Sequence, residues 1–233
     1  MKAEDFELLT FYELRKNFLE GKYEDSYDQS FLAGNALHNK LPSMIELVPL
    51  LRSNNRLCQY KAAYISSEMG EDARPIFSYL FELLESSYRE VRNEVCDCFF
   101  YCTKESKHYL ALFKHLRDPE SQIRLNVLGY LCFLDEQYFA QLYVFIKGLE
   151  SVDQFLVDGI SLLFNQSKNL LTETDIKNNI LTGSKEIKMF AYAAAYKQFG
   201  NSNKLTELVK LSGEPDILKH WEIYLEPDSS NQE

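Results

Sequence analysis

Glycine and proline are scarce, at 9 and 6 of 233 residues. A chain so poor in both offers few tight turns, which argues against a sheet of short hairpins and for helices with short connections. One tryptophan stands beside 16 phenylalanines and 15 tyrosines. The five cysteines are odd in number and follow no framework spacing, so reduced thiols are expected rather than disulfides. Apolar runs such as Cys98-Phe99-Phe100-Tyr101-Cys102 fall far short of the roughly 20 residues a membrane span needs. The stretch Met1 to Glu7 has no apolar core and no cleavage signature. The expectation is a cytoplasmic protein without a membrane partner.

Positive charge is also in deficit. Lys and Arg number 25 against 35 Asp and Glu, for a net charge of −10. That balance repels a phosphate backbone, so no nucleic-acid partner is expected, and it suits cationic proteins. No P-loop, dinucleotide-binding, zincin or nucleophile-elbow motif occurs. No catalytic residue, metal or cofactor is assigned.

What the chain does contain is a repeat. Apolar residues early in each presumed second helix fall at Leu57, Val91, Ile123, Phe155, Ile187 and Ile217, with steps of 34, 32, 32, 32 and 30. Each lies some seven residues beyond an aliphatic residue closing the preceding helix: Leu50 or Leu51, Leu84, Leu116, Leu149, Ile180 or Leu181, and Leu211. Polar turns separate them, as in Ser53-Asn54-Asn55 and Asp118-Pro119-Glu120. A period of this length means stacked helical hairpins, because one hairpin cannot bury its apolar face alone.

The spacing predicts one helix over 6–19 and another over 27–37, forming an N-terminal capping hairpin within 1–42. Repeats follow over 43–226. Ser43 with Glu46, and Thr172 with Asp175, read as capping boxes. Pro75 suits a first helical turn. The polar end, 228–233, is expected to be disordered, leaving 1–227 as a single domain. In the second helices the core stripe reads Val91, Val95, Cys98, Cys102, then Ile123, Val127, Tyr130, Leu134, then Phe155, Gly159, Leu162, Gln166.

The run Leu116-Arg117-Asp118-Pro119-Glu120-Ser121-Gln122-Ile123-Arg124 resembles the inter-helix turn of HEAT-repeat proteins: Asp-Pro, then an aliphatic residue and a basic one. Glu85 to Arg92 echoes it without Asp-Pro. The resemblance implies an all-α fold, a right-handed α-solenoid of about six to seven antiparallel helix pairs with a period of about 32.

Two groups could be mistaken for chemistry. Cys96, Cys98 and Cys102 would have to converge from a loop to bind zinc. On a helix, Cys98 and Cys102 join the core stripe while Cys96 points away from it, so they read as small buried hydrophobes. His108 and His115, two turns apart, read as surface or cap residues.

The flank of the second helices, about a quarter-turn from the core, carries the functional expectation. It reads Arg56, Tyr60; Glu90, Glu94, Asp97, Tyr101; Gln122, Asn126, Phe133; and Gln154, Asp158. Aromatic side chains anchor interfaces and carboxylates steer cationic partners. The expected function is a non-catalytic protein-binding module, monomeric before it meets its partner. Small acidic solenoids resemble immunity proteins (antitoxins of contact-dependent inhibition) that bind basic, nuclease-like toxin domains. The alternative is a HEAT-like enzyme, of the alkylated-base DNA glycosylase or bilin-lyase type, or a general scaffold. Against the glycosylase stand the charge and the lone Trp221, at the fading end of the repeats.

Overall fold

A computed structural model describes residues 3–225, and every regular element among them is a helix, as the all-α expectation required. The expected tail, 228–233, lies outside the described residues. No helix among those described is long and apolar enough to cross a membrane. The described residues divide into two compact units, one ending at Thr103 and one beginning at Lys104.

The first unit contains α1 (Ala3–Glu7), α2 (Phe11–Leu19), α3 (Tyr27–Asn39), α4 (Val48–Leu51), α5 (Arg56–Glu68), α6 (Phe77–Glu82) and α7 (Arg89–Cys102), with 3-10 turns at Met44–Leu47, Gly70–Ile76 and Leu83–Glu85. The single helix expected over 6–19 is broken. Thr10 forms a capping box with Glu13, whose amide donates to Thr10 Oγ1 at 3.3 Å, and this restarts the chain as α2. The next helix runs on to Asn39. Ser43 makes no side-chain capping bond, because the Glu46 amide donates to the Ser43 carbonyl at 3.0 Å, and the Glu46 carboxylate accepts from Arg15 Nη1 instead of turning back to the cap. Pro75 falls inside a 3-10 turn rather than opening an α-helix.

α5 packs on α4 and on α7. Val91, Val95 and Cys98 are buried as the stripe predicts, and Cys102 is half-buried. Cys96 is buried too, contrary to expectation. The Gly70–Ile76 turn and α6 also pack against α7, so that helix buries more than one stripe.

The second unit contains α8 (Ser106–Lys114), the 3-10 turn His115–Arg117, α9 (Ser121–Phe133), α10 (Glu136–Lys147), α11 (Gln154–Ser167), α12 (Glu173–Thr182), α13 (Lys185–Phe199), α14 (Asn203–Ser212) and α15 (Pro215–Tyr224). α10 packs on α11, α12 on α13 and α14 on α15. α11 also packs on α13, whereas α9 packs against both α13 and α15, so contacts between second helices are not confined to chain neighbours. The sequence of α9 explains this. Ile123, Leu125, Val127, Leu128, Tyr130 and Leu131 are all buried, and a helix apolar all round needs cover on several sides.

An ionic cluster joins the starts of α9, α13 and α15. Asp216 accepts from Ser121 Oγ at 2.7 Å, from Arg124 Nε at 2.6 Å and Nη2 at 3.1 Å, and faces Lys185 Nζ at 2.7 Å. Burial alone would raise its pKa; hydrogen bonds from Arg124, Lys185 and Ser121 overcome that and hold it at about 2.

Four of the inter-helix turns share one hydrogen-bond plan. Ser53 Oγ, Ser86 Oγ, Asp118 Oδ1 and Ser212 Oγ each accept from the amide two residues on, that of Asn55, Tyr88, Glu120 and Glu214. In three of them a long side chain six residues on donates back to the same residue's carbonyl: Gln59 to Ser53 at 2.8 Å, Arg92 to Ser86 at 2.7 Å and Arg124 to Asp118 at 2.6 Å. Asp-Pro is one way of building this turn, and serine is another.

Two marker leucines depart from their expected burial. Leu149 and Leu211 are exposed, and Ile146 and Leu208, one turn earlier, fill the core instead. His108 and His115 are likewise buried rather than superficial. His115 keeps a cap role: it ends α8, with Nδ1 at 3.2 Å from Asp118 Oδ2. The capping box of Thr172 with Asp175 forms as predicted.

Candidate functional site

In the first unit a cleft of about 650 Å³ opens at the starts of α3, α5 and α7. One wall is Tyr23, Glu24, Tyr27 and Ser30; the opposite wall is Asn55, Arg56, Leu57, Tyr60 and Lys61, with Glu90 at the edge. Three residues expected on the flank, Arg56, Tyr60 and Glu90, therefore meet at one opening. Arg56 pairs with Glu90. Asn55 caps α5, accepting from the amides of Leu57 at 2.8 Å and Cys58 at 3.2 Å, and its Nδ2 donates to the Glu24 carboxylate.

Lys61 is the unusual member. It sits on the apolar face of α5 with Cys58, Ala62 and Ile65, and it is 6% exposed. Its Nζ lies 5.8 Å from the centroid of the Phe31 ring and 5.1 Å from that of Tyr60. Burial pushes its pKa down, and the Glu94 carboxylate opposes this only in part. Gly34 on α3 makes room for it: a Cβ there would meet Lys61 Cδ at 3.1 Å and Cε at 3.3 Å.

Further along α7 the line continues through Glu94, Asp97 and Tyr101. Glu94 and Asp97 are half-buried, not the fully exposed flank that the periodicity suggested, and Tyr101 is exposed. Burial raises the pKa of Glu94, and hydrogen bonds from Ser67 and Asn93 offset it in part. Asp97 is pushed up to about 7 by burial, then by the neighbouring carboxylates of Glu94 and Glu68. Two half-buried carboxylates, Glu94 and Asp97, thus lie near the exposed carboxylate of Glu68. Tyr101 packs beside Gly70, whose φ of +56° allows the turn there.

The flank residues of the second unit are engaged locally. Gln122 Nε2 donates to Asn126 Oδ1 at 3.1 Å, and Gln154 Nε2 to Asp158 Oδ1 at 2.8 Å, each one helical turn on. Phe133 is exposed and meets Tyr196 edge-on at 5.5 Å. These pairs do not form a charged patch like that of the first unit. Trp221 is buried within α15. Among the described residues, no group of three or more His, Cys, Asp or Glu side chains is placed to hold a metal ion.

Compared with known protein families, with curated proteins and with solved structures, the chain matches none.

Sequence reasoning missed Lys61, Glu68 and the Tyr23–Tyr27 wall. One signal was available for Lys61. A lysine three residues after Cys58 and four before Ile65 falls inside an apolar stripe, and a buried lysine is rarely incidental. The contribution of α3 had no such signal, because it depends on how α3 lies against α5.

Proposed function

We propose that the chain is a non-catalytic protein-binding module for a basic protein domain, acting as an immunity protein that neutralises a toxin. The observation that carries this reading is the crowding of Glu68, Glu94 and Asp97. Burial, then repulsion from Glu94 and Glu68, leaves Asp97 with a pKa of about 7. A lysine or arginine docked there would relieve the repulsion and restore full ionisation, so attraction to a cationic partner is built into the patch. Tyr101, exposed at the end of the same line, supplies an aromatic anchor. The net charge of −10 favours long-range steering of a basic domain.

The scaffold we propose is a right-handed α-solenoid of HEAT-like repeats. Recurrence of one turn design at Ser53, Ser86 and Asp118 supports it. The proposed binding line extends from Arg56 and Tyr60 through Glu90, Glu94, Asp97 and Tyr101.

The test uses the partner captured by the purified chain from its native cells. Charge reversal at Glu90, Glu94 and Asp97 together is expected to weaken that complex at least tenfold, about 1.4 kcal/mol, with unchanged helical circular dichroism. An affinity equal to that of the parent chain would remove this surface from consideration. A captured partner with an acidic contact face would overturn the reading itself.

A further inference from the structure

We infer that the cleft of the first unit binds a carboxylate carried on an apolar or aromatic body, with the Lys61 ammonium as its counter-ion. This goes beyond the protein-partner reading: the cleft shares Arg56, Tyr60 and Glu90 with the proposed binding line, but the inference rests on Lys61, which that line does not include.

Lys61 is more than nine-tenths buried, yet its Nζ forms neither an ion pair within 4.0 Å nor a hydrogen bond with any described residue. Buried charges are ordinarily paired, because desolvation of a lone ammonium is costly. Of the other charged groups in the cleft, Arg56 is paired with Glu90, and Glu24 keeps its charge while accepting a hydrogen bond from Asn55. Lys61 lines the cleft with no ion-pair or hydrogen-bond partner of its own among the described residues.

Its position is built rather than incidental. Gly34 leaves the space its stem occupies, and the faces of Phe31 and Tyr60 flank its head and compensate part of the desolvation. A volume of about 650 Å³ suits a small organic ligand. Tyr23, Tyr27, Leu57 and Tyr60 offer aromatic and apolar surface beside Lys61, while Glu24 and Glu90 also line the cleft, so an anion gains there through a hydrophobic body and a fully hydrated anion would gain little. The carboxylate could belong to a free acid or to the carboxyl terminus of a peptide, and the chemistry at Lys61 is the same for both.

The experiment is NMR of the whole chain carrying 13C-lysine, following the Lys61 Cε resonance, identified by its absence in Lys61→Met. The probes are N-acetyl-phenylalanine, the tripeptide Gly-Gly-Phe, and the carboxamide of each. A saturable shift with an acid but not with its amide, accompanied by a rise in the Lys61 pKa, is the expected result. Response to the tripeptide alone assigns the ligand to peptide termini; response to the acylated amino acid assigns it to free acids. Equal responses to acid and amide, or no response to either acid, overturn the inference. The comparison is made in the parent chain and holds even if Lys61→Met fails to fold, when sequential assignment identifies the resonance.

Discussion

The ring of Phe190 lies directly on the bare Cα of Gly159. A methyl group built there would stand 2.2 Å from Cδ2 and 2.5 Å from Cε2. Gly159 is thus the point at which α11 and α13 make their close approach.

Replacing Gly159 with alanine is therefore expected to destabilise the chain by about 1–3 kcal/mol. This overrides the gain of roughly 1 kcal/mol that alanine brings to a helix interior. Urea denaturation measures it, and Phe190→Leu in the Gly159→Ala background should recover part of the loss. A more stable Gly159→Ala chain would show that the ring can move aside.

Asp97 makes stability depend on pH in an unusual direction. Its pKa rises from 3.8 to about 7 on folding. Between those values the folded chain keeps a proton that the unfolded chain has released. Its stabilising effect is complete below the lower value and is lost as pH rises through the upper one. Asp97→Asn should remove that loss, raising stability at about pH 8 relative to about pH 5, on the order of 1–2 kcal/mol after solvent screening. Identical pH profiles for the two chains would refute it.

Asp216 has the opposite sign. With its pKa at about 2, it contributes stability that is present above the ordinary 3.8 and is lost as pH falls through the folded value. Asp216→Ala leaves Arg124 and Lys185 facing one another without their shared anion. A cost of about 3–5 kcal/mol is expected at neutral pH. Thermal unfolding reads this directly, and a loss below about 1 kcal/mol would reduce the cluster to surface decoration.

The two predicted capping boxes give a paired test. Thr172→Ala should cost about 1 kcal/mol, because its hydroxyl accepts from the amide of Asp175. Ser43→Ala should stay within about 0.5 kcal/mol, since Ser43 makes no capping bond. Chemical denaturation of both variants beside the parent chain decides the matter; equal costs would count against the difference.

Much of the fold was legible because it is local. The all-helical character, the buried stripe through Val91, Val95 and Cys98, and the Thr172 cap each depend on residues a few positions apart. The misreadings concern contacts that periodicity cannot see. Cys96 is buried by a second neighbour of α7, and Glu46 leaves its cap for Arg15, 31 residues away. Leu149, past the end of α10, and Leu211, in the last turn of α14, lost their core places to Ile146 and Leu208, three residues earlier. At the candidate site, Arg56, Tyr60 and Glu90 were legible. Lys61 was visible only as a misfit in an apolar stripe, and Gly34 acquires meaning only when α3 lies beside it.

The shared turn at Ser53, Ser86 and Asp118 also has a consequence in time. Its bonds span two or six residues, and loops of that size close within roughly 10–100 ns. The link between Ser121 and Asp216 spans 95 residues and must await the arrival of α15 beside α9. These corners can therefore close long before distant partners meet, whereas the seating of α15 on α9 carries a far larger loop-closure cost.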